Sequence, residues 1–233
     1  IKPHVYEAWR TNPTLSIAFD AIFTWDEKLL SLSPTFKLLP FIGGSFVLEE
    51  DSRLYEKTKN LSIVASEKRF APGHLLRHAI IERYGSQMDS YGPDYINLYK
   101  DYENEPTDTL RGNYLKTTGN LLRVFKDYRY SLVVENMKSK YMFSEKIIDC
   151  FVTGTIPVYW GSETIGDFFD PEGIISFDTL EELESILPTL TEETFLSKQE
   201  AINNNFEKAK KYYSFDEYLK NELINLIGEK NEA

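Results

Sequence analysis

The alternation of apolar and polar positions predicts a repeated order of strand and helix through the middle of the chain. Short apolar runs typical of buried strands lie at residues 61–65, 131–134, 156–160 and 173–177. A helix is predicted over 75–84 and closed by Gly85, and another begins after Ser144 and closes at Gly154. Parallel strands need helical connections of this length. The expected fold is therefore α/β, with a parallel sheet over residues 61–177 and helices on both faces.

The flanking segments predict elements of other kinds. Residues 19–25 and 36–42 look like short strands, and the charged stretch 49–60 is interpreted as a connection between domains. Residues 86–111 are rich in turn formers and predict loops with one short strand at most. Thr179 and Glu182 form a capping box that opens a helix, and residues from 191 onward are predicted to be helical. The core contacts expected there are Phe206, Ala209, Tyr213, Tyr218, Leu223 and Ile227.

Composition and charge exclude several classes of protein. The chain of 233 residues is 14% aromatic, which indicates a packed core and argues against disorder. Its net charge of −11 argues against a dedicated nucleic-acid binder. Cys150 is the single cysteine, so it is interpreted as a buried apolar residue. No apolar run is long enough for a transmembrane helix, and a cytoplasmic protein, free or held at the face of a membrane, is expected.

Two polar clusters stand where the strand–helix pattern changes. Glu135 and Asn136 follow a strand directly, at the carboxyl end where open α/β sheets bind ligands. Ser144 stands at a helix N-cap, with Glu145 and Lys146 in the first turn. A lysine there opposes the helix dipole, and a bound phosphate would compensate for it. Glu145 has two interpretations, a carboxylate that favours the dipole or an acceptor for ribose hydroxyls, and Asn136 could simply cap a turn.

A further cluster, nearer the start of the chain, is basic although the chain as a whole is acidic. Between Glu67 and Arg83 lie four Lys or Arg residues and two of the three histidines, against only two acids. A strand, a Pro-Gly turn and a helix start with basic side chains are typical of a pyrophosphate site, and Arg77 is one of these basic side chains. The alternative is that Arg77 is a solvated helix residue. His74 and His78 have a metal-capable spacing, but no further Cys or His pair accompanies them, so no metal site is predicted.

The run from Glu135 to Ser162 resembles the α1,3/α1,4-fucosyltransferases and their bacterial and viral relatives. The shared pattern is E-N, a loop, S-E-K-I-I-D and T-G-T-I-P-V-Y-W-G-S, without a gap. Where bacterial members carry a tyrosine this chain has Met142, and the tyrosine is Tyr141. The resemblance implies a GT-B architecture, in which two Rossmann-like domains face each other across a cleft. It also implies GDP-fucose as the donor substrate, with no separate cofactor.

The resemblance further implies roles for individual residues. Arg77 and Lys146 would bind the donor phosphates and stabilise the leaving group, and both are candidate catalytic residues together with Glu135. Glu135 would orient its neighbour or face the positive charge that develops on the anomeric carbon. The other donor contacts implied are Asn136, Tyr141 and Glu145.

The implied reaction is inverting transfer of a sugar, expected to be L-fucose, from GDP-fucose to a hydroxyl of an acceptor oligosaccharide. A non-catalytic nucleotide-sugar-binding or interaction module is one alternative, and a transferase for a different nucleotide sugar is another. The implied domains are 1–50, the end of an acceptor-side N-terminal domain, 56–190, which binds the donor, and 191–233, the C-terminal helices. The general base of the family would then fall just before Ile1, and this chain is expected to bind donor but transfer sugar poorly.

Overall fold

The computed structural model describes residues 18–92 and 121–231, with side chains to residue 225, and Glu7, Ala8, Thr11, Asn12 and Thr14. In chain order its strands are β1 (Ile22–Thr24), β2 (Phe36–Leu38), β3 (Phe41–Ile42), β4 (Lys59–Val64), β5 (Asp89–Tyr91), β6 (Tyr128–Val134), β7 (Met142–Phe143), β8 (Ile156–Trp160) and β9 (Ile175–Ser176). Its α-helices are α1 (Glu27–Leu30), α2 (Pro72–Tyr84), α3 (Leu122–Phe125), α4 (Glu145–Phe151), α5 (Leu180–Ile186), α6 (Glu192–Ser197), α7 (Gln199–Ala209) and α8 (Phe215–Asn231).

The central sheet has five strands, all parallel, in the order β5-β4-β6-β8-β9. From β4 the chain passes through α2 to β5 on one side of the sheet. It then adds β6, β8 and β9 on the other side. The direction of winding therefore reverses between β4 and β6, and doubly wound sheets bind ligands at such a switch point.

Helices cover both faces of this sheet. On one face Leu132 and Val134 of β6 belong to the same buried cluster as Ile80 of α2. On the other face Val133, the residue between them, belongs to a second cluster with Ile147 of α4. Because neighbouring side chains of a strand point to opposite faces, this division places one core on each side of the sheet. The predicted α/β class and parallel sheet are confirmed.

Most predicted element boundaries hold within a few residues. Strand β8 and the start of α4 lie where the pattern placed them, and Gly154 has the left-handed φ of +73° expected after a helix. Helix α2 begins at Pro72 rather than at residue 75, because the fixed φ of proline suits a first helical turn. At α5 the Thr179 hydroxyl accepts the N–H of Glu182 at 3.2 Å, as predicted.

The predicted strands at 19–25 and 36–42 are shorter than expected and become β1, β2 and β3. Strand β1 pairs in parallel with β2, and β3 pairs in parallel with β7. In and around β3 the chain packs Leu39, Ile42 and Val47 into the core that contains α4. The single short strand predicted within 86–111 is β5, and positions 93–111 lie outside the described residues. The proposed domain boundaries stay a prediction.

The charged connection at 49–60 contains a buried lysine. Lys57 is 9% exposed, and its Nζ donates to the carbonyl oxygens of Thr153 at 2.7 Å and Phe125 at 3.2 Å. It also donates to the Lys126 carbonyl at 3.1 Å and the Thr155 hydroxyl at 2.9 Å. Burial lowers the pKa of Lys57 to about 7. The connection is thus fixed to the ends of α3 and α4.

The C-terminal helices pack onto both cores but do not form one continuous helix. Ala209 and Tyr218 are buried as predicted, and a 3-10 turn at Lys210–Tyr212 separates α7 from α8. Leu223 is 39% exposed, so its predicted core contact is wrong. It lies five positions after Tyr218, which is about 140° around the helix from the buried face. Phe206 is half-buried, as is Tyr213, and the side chain at 227 lies outside the described residues.

Cys150 is fully buried, as the sequence predicted. Within the ranges that the structure covers, no helix combines the length and the apolar character needed to cross a bilayer. The same residues contain no group of three His, Cys, Asp or Glu side chains arranged to hold a metal ion.

Candidate functional site

A cavity of about 390 Å³ opens at the switch point, beyond the carboxyl ends of β4 and β6. Helix α2 forms one side of it and the start of α4 forms the other. Its volume lies within the range of small-molecule sites. Apolar side chains such as Phe46 and Phe125 form part of its wall. The polar residues of its lining are Ser66, Lys68, His74, Arg77, Ser131, Asn136, Glu145, Lys146 and Asp149.

Helix α2 is held against the end of β6 by a close approach at Gly73. The N–H of Gly73 donates to the carbonyl oxygen of Asn136 at 2.9 Å. A Cβ at position 73 would lie 1.7 Å from the carbonyl oxygen of Glu135, far inside van der Waals contact. Glycine is therefore required there, and its contact directs the next turn of α2, which carries Arg77, into the cavity.

Arg77 is a buried cation fixed to the end of β6. It is 5% exposed, and its guanidinium donates to the carbonyl oxygen of Val134 and, at 2.9 Å, to Oδ1 of Asn136. Arg77 is therefore not a solvated helix residue. The same contact orients the amide of Asn136.

Glu135 lies behind the cavity and organises the start of α4. Its carboxylate is 2% exposed and accepts the N–H of Ser144 at 2.8 Å and the Ser144 hydroxyl at 2.7 Å. The Nζ of Lys146 donates to that hydroxyl at 2.9 Å and lies 3.6 Å from Oε2 of Glu135. Glu135 is not part of the cavity lining, and its carboxylate contacts Ser144 and Lys146 at the start of α4.

Lys146 is held as a cation at the cavity. Its Nζ also donates to Oε1 of Glu145 at 3.0 Å. Burial acts to lower the pKa of Lys146, but the carboxylates of Glu135 and Glu145 outweigh it, so the pKa is raised. Within the S-E-K sequence, the serine caps the helix as predicted, and the glutamate and lysine both reach the cavity.

Tyr141, like Glu135, is a predicted site residue that does not line the cavity. It is half-buried just before β7, and the Nζ of Lys140 lies 5.3 Å from its ring centroid. Tyr159 is a buried core aromatic, as the sequence indicated. Its hydroxyl accepts the N–H of Ser162 at 2.9 Å.

Sequence reasoning missed Asp149 and the segment that it holds. Asp149 is 1% exposed, and its Oδ1 accepts the Ser45 hydroxyl at 2.7 Å and the N–H groups of Phe46 at 2.9 Å and Val47 at 3.2 Å. These bonds place Phe46 at the cavity wall. The sequence does contain a sign of this arrangement, because position 149 is an acid within the buried apolar stripe of α4, beside Ile148. Such an acid needs hydrogen-bond donors from elsewhere in the fold.

Burial raises the pKa of Asp149 from 3.8 to about 7, which predicts a pH-dependent stability. Between those values the folded chain holds a proton that the unfolded chain has lost, so stability falls as pH rises. Urea unfolding of the parent and of Asp149→Asn at pH 4.5 to 8 measures this. The parent should lose up to a few kcal/mol relative to the variant by about pH 7, then level off. A constant difference across that range would contradict the raised pKa.

The comparisons with known proteins confirm the resemblance to the α1,3-fucosyltransferases. A stretch of 49 residues is 37% identical to the alpha-(1,3)-fucosyltransferase FucT of Helicobacter pylori, covering 21% of this chain and 10% of that protein. No protein-family model matches the chain.

Solved structures of an α1,3-fucosyltransferase are also similar to this chain. The structure with GDP-fucose has a TM-score of 0.45 and 19% identity, covering 69% of this chain and 48% of its own. The structure with GDP has a TM-score of 0.44 and 20% identity, covering 67% and 46%. The chain spans about half the length of these solved chains and a tenth of the curated relative.

Proposed function

We propose that the cavity between β4 and β6 binds the diphosphate of a nucleotide sugar. The observation that carries this proposal is the convergence of two cations from opposite sides of the sheet. Arg77 reaches the cavity from α2 and Lys146 from α4. Lys68 adds a third cation to the lining, in a chain whose net charge is −11. A diphosphate is the ligand that a buried guanidinium and a half-buried ammonium on two sides of one cavity favour.

The reaction proposed for this site is inverting transfer of the sugar to a hydroxyl of an acceptor saccharide. The transition state of glycosyl transfer is oxocarbenium-like, and negative charge grows on the departing diphosphate. Arg77 and Lys146 stabilise that charge, and they are fixed in place before the reaction begins. A general base accepts the proton of the acceptor hydroxyl. L-Fucose carried by GDP is the proposed donor, because the sequence match is to an α-(1,3)-fucosyltransferase.

The other polar residues have distinct proposed roles. Glu145 offers carboxylate oxygens to the ribose hydroxyls. Asn136 uses Oδ1 to accept from Arg77, which leaves its amide N–H groups for the sugar. Glu135 is proposed as a positioning residue that sets Lys146 through Ser144, since it contacts both. Tyr141 stays a predicted donor contact.

Incubation of the chain with GDP-fucose and N-acetyllactosamine-type acceptors tests the proposed reaction. Acceptor-dependent release of GDP, with the fucosylated product identified by mass spectrometry, is the expected result. The same incubation with GDP-mannose serves as a control for the donor. Binding of GDP-fucose without transfer to any acceptor would favour a nucleotide-sugar-binding module. Absence of binding by any nucleotide sugar would refute the site itself.

A further inference from the structure

His74 is a further buried polar residue of the cavity lining, and it has no part in the roles proposed for the other polar residues. It is the third residue of α2, is 3% exposed and belongs to the cavity lining. The ring of Phe70 packs edge-on against its ring, with centroids 4.5 Å apart. The imidazole is therefore held in one place beside Arg77, which lies one helical turn further on.

One hydrogen bond fixes which ring nitrogen carries the proton. The main-chain N–H of Ala71 donates to Nδ1 of His74 at 3.1 Å. A ring nitrogen that accepts a hydrogen bond carries no proton, so the neutral imidazole holds its hydrogen on Nε2. Within the described part of the chain, no protein acceptor is found for that Nε2–H group. The ring thus presents a donor to the cavity.

The surroundings keep His74 neutral. Burial lowers its pKa first, and the positive charges of Arg77, Lys68 and Lys146 lower it further, with His78 adding to them. A histidine among these groups does not add another positive charge. It contributes a directional N–H group instead.

The main chain at the start of α2 does not supply such donors. The N–H of Gly73 donates to the carbonyl oxygen of Asn136, and the N–H groups of His74 and Leu75 donate to the carbonyl oxygen of Ala71. A free helix N-terminus often binds phosphate through these groups. Here they are already used, so recognition of an anion beside α2 falls to side chains.

We propose that His74 binds the donor diphosphate as a neutral hydrogen-bond donor, through Nε2–H, beside the cations Arg77 and Lys146. This inference rests on the proposed function, because it assigns a further residue to the same diphosphate. His74 touches the leaving group directly, and its hydrogen bond strengthens as charge grows there.

A pair of substitutions separates the two ring nitrogens. His74→Asn keeps an acceptor near the position of Nδ1 for the Ala71 N–H but removes the donor. His74→Gln restores an N–H donor near the position of Nε2. In calorimetric titration with GDP at pH 7.5, His74→Asn should bind about 10- to 100-fold more weakly than the parent. His74→Gln should stay within about threefold of the parent. His78→Asn, one turn further on and outside the lining, should bind GDP as the parent does.

Two further readouts do not depend on affinity at one pH. The ¹⁵N shifts of the His74 ring should show a protonated Nε2 and an unprotonated Nδ1 at pH 7. The GDP affinities of the parent and of His74→Gln should change in parallel between pH 6.5 and 8, since ionisation of GDP affects both equally. A doubly protonated ring, or affinity that rises at low pH in the parent alone, would overturn the inference.

The outcomes also separate this inference from the proposed function. If the parent fails to bind GDP, both fail. If His74→Asn binds as the parent does while Arg77→Gln does not, the inference about His74 fails alone. If His74→Asn melts well below the parent, the ring shifts and the parallel pH series still decide the inference.

Discussion

Replacing Gly73 with alanine should both destabilise the fold and abolish nucleotide binding. The new Cβ would lie 1.7 Å from the carbonyl oxygen of Glu135 and 3.0 Å from Cα of Asn136. Both atoms are main chain at the end of a central strand, so α2 must move instead. That movement separates Arg77 from the Val134 carbonyl and from the cavity. The expected cost is about 3 kcal/mol or more in urea unfolding, with loss of measurable GDP binding.

Gly166→Ala is the matched control for this substitution. A Cβ there would meet only the Cβ of Pro171, at 3.7 Å, which is ordinary contact. Its unfolding free energy and GDP affinity should stay close to those of the parent. A Gly73→Ala chain that is as stable as the Gly166→Ala chain and binds GDP equally well would contradict the placement of α2.

Arg77→Gln and Lys146→Gln should each weaken GDP binding by about 10- to 150-fold. This range corresponds to the loss of one charge-assisted hydrogen bond, about 1.5 to 3 kcal/mol. Arg77→Gln should also lower stability, because the buried carbonyl of Val134 loses its donor. Lys140→Ala is the control, since Lys140 is 39% exposed and pairs with Glu27 away from the lining. An equal loss in Lys140→Ala would mean that net charge, and not the site, governs binding.

The parts of the fold that the sequence predicted are those set by short-range rules. The apolar runs of β6 and β8, the Ser144 cap and the left-handed Gly154 depend on neighbours within one or two turns. The meeting of Arg77 with Asn136 and Lys146 follows instead from the topology of the sheet. Once the strands are known to be parallel, their carboxyl ends must lie at one edge of the sheet.

The missed features depend on contacts between distant parts of the chain. Asp149 finds its donors about a hundred positions away, at residues 45–47. Lys57 looks like one more charge in a polar connection, yet four distant oxygens surround it. Periodicity indicates which face of a helix is buried. It does not indicate which buried polar group finds a partner, or which glycine must admit another backbone, as Gly73 does.

Calorimetric titration with GDP-fucose, of the parent and of the double variant Arg77→Gln/Lys146→Gln, tests the assignment of the cavity most directly. GDP, GDP-mannose and UDP-sugars extend the series and separate recognition of the diphosphate from recognition of the base and sugar. Saturable binding of GDP-fucose by the parent, displaced by GDP and lost in the double variant, is the expected result. No binding by the parent, or equal binding by the parent and the double variant, would contradict a diphosphate site between β4 and β6.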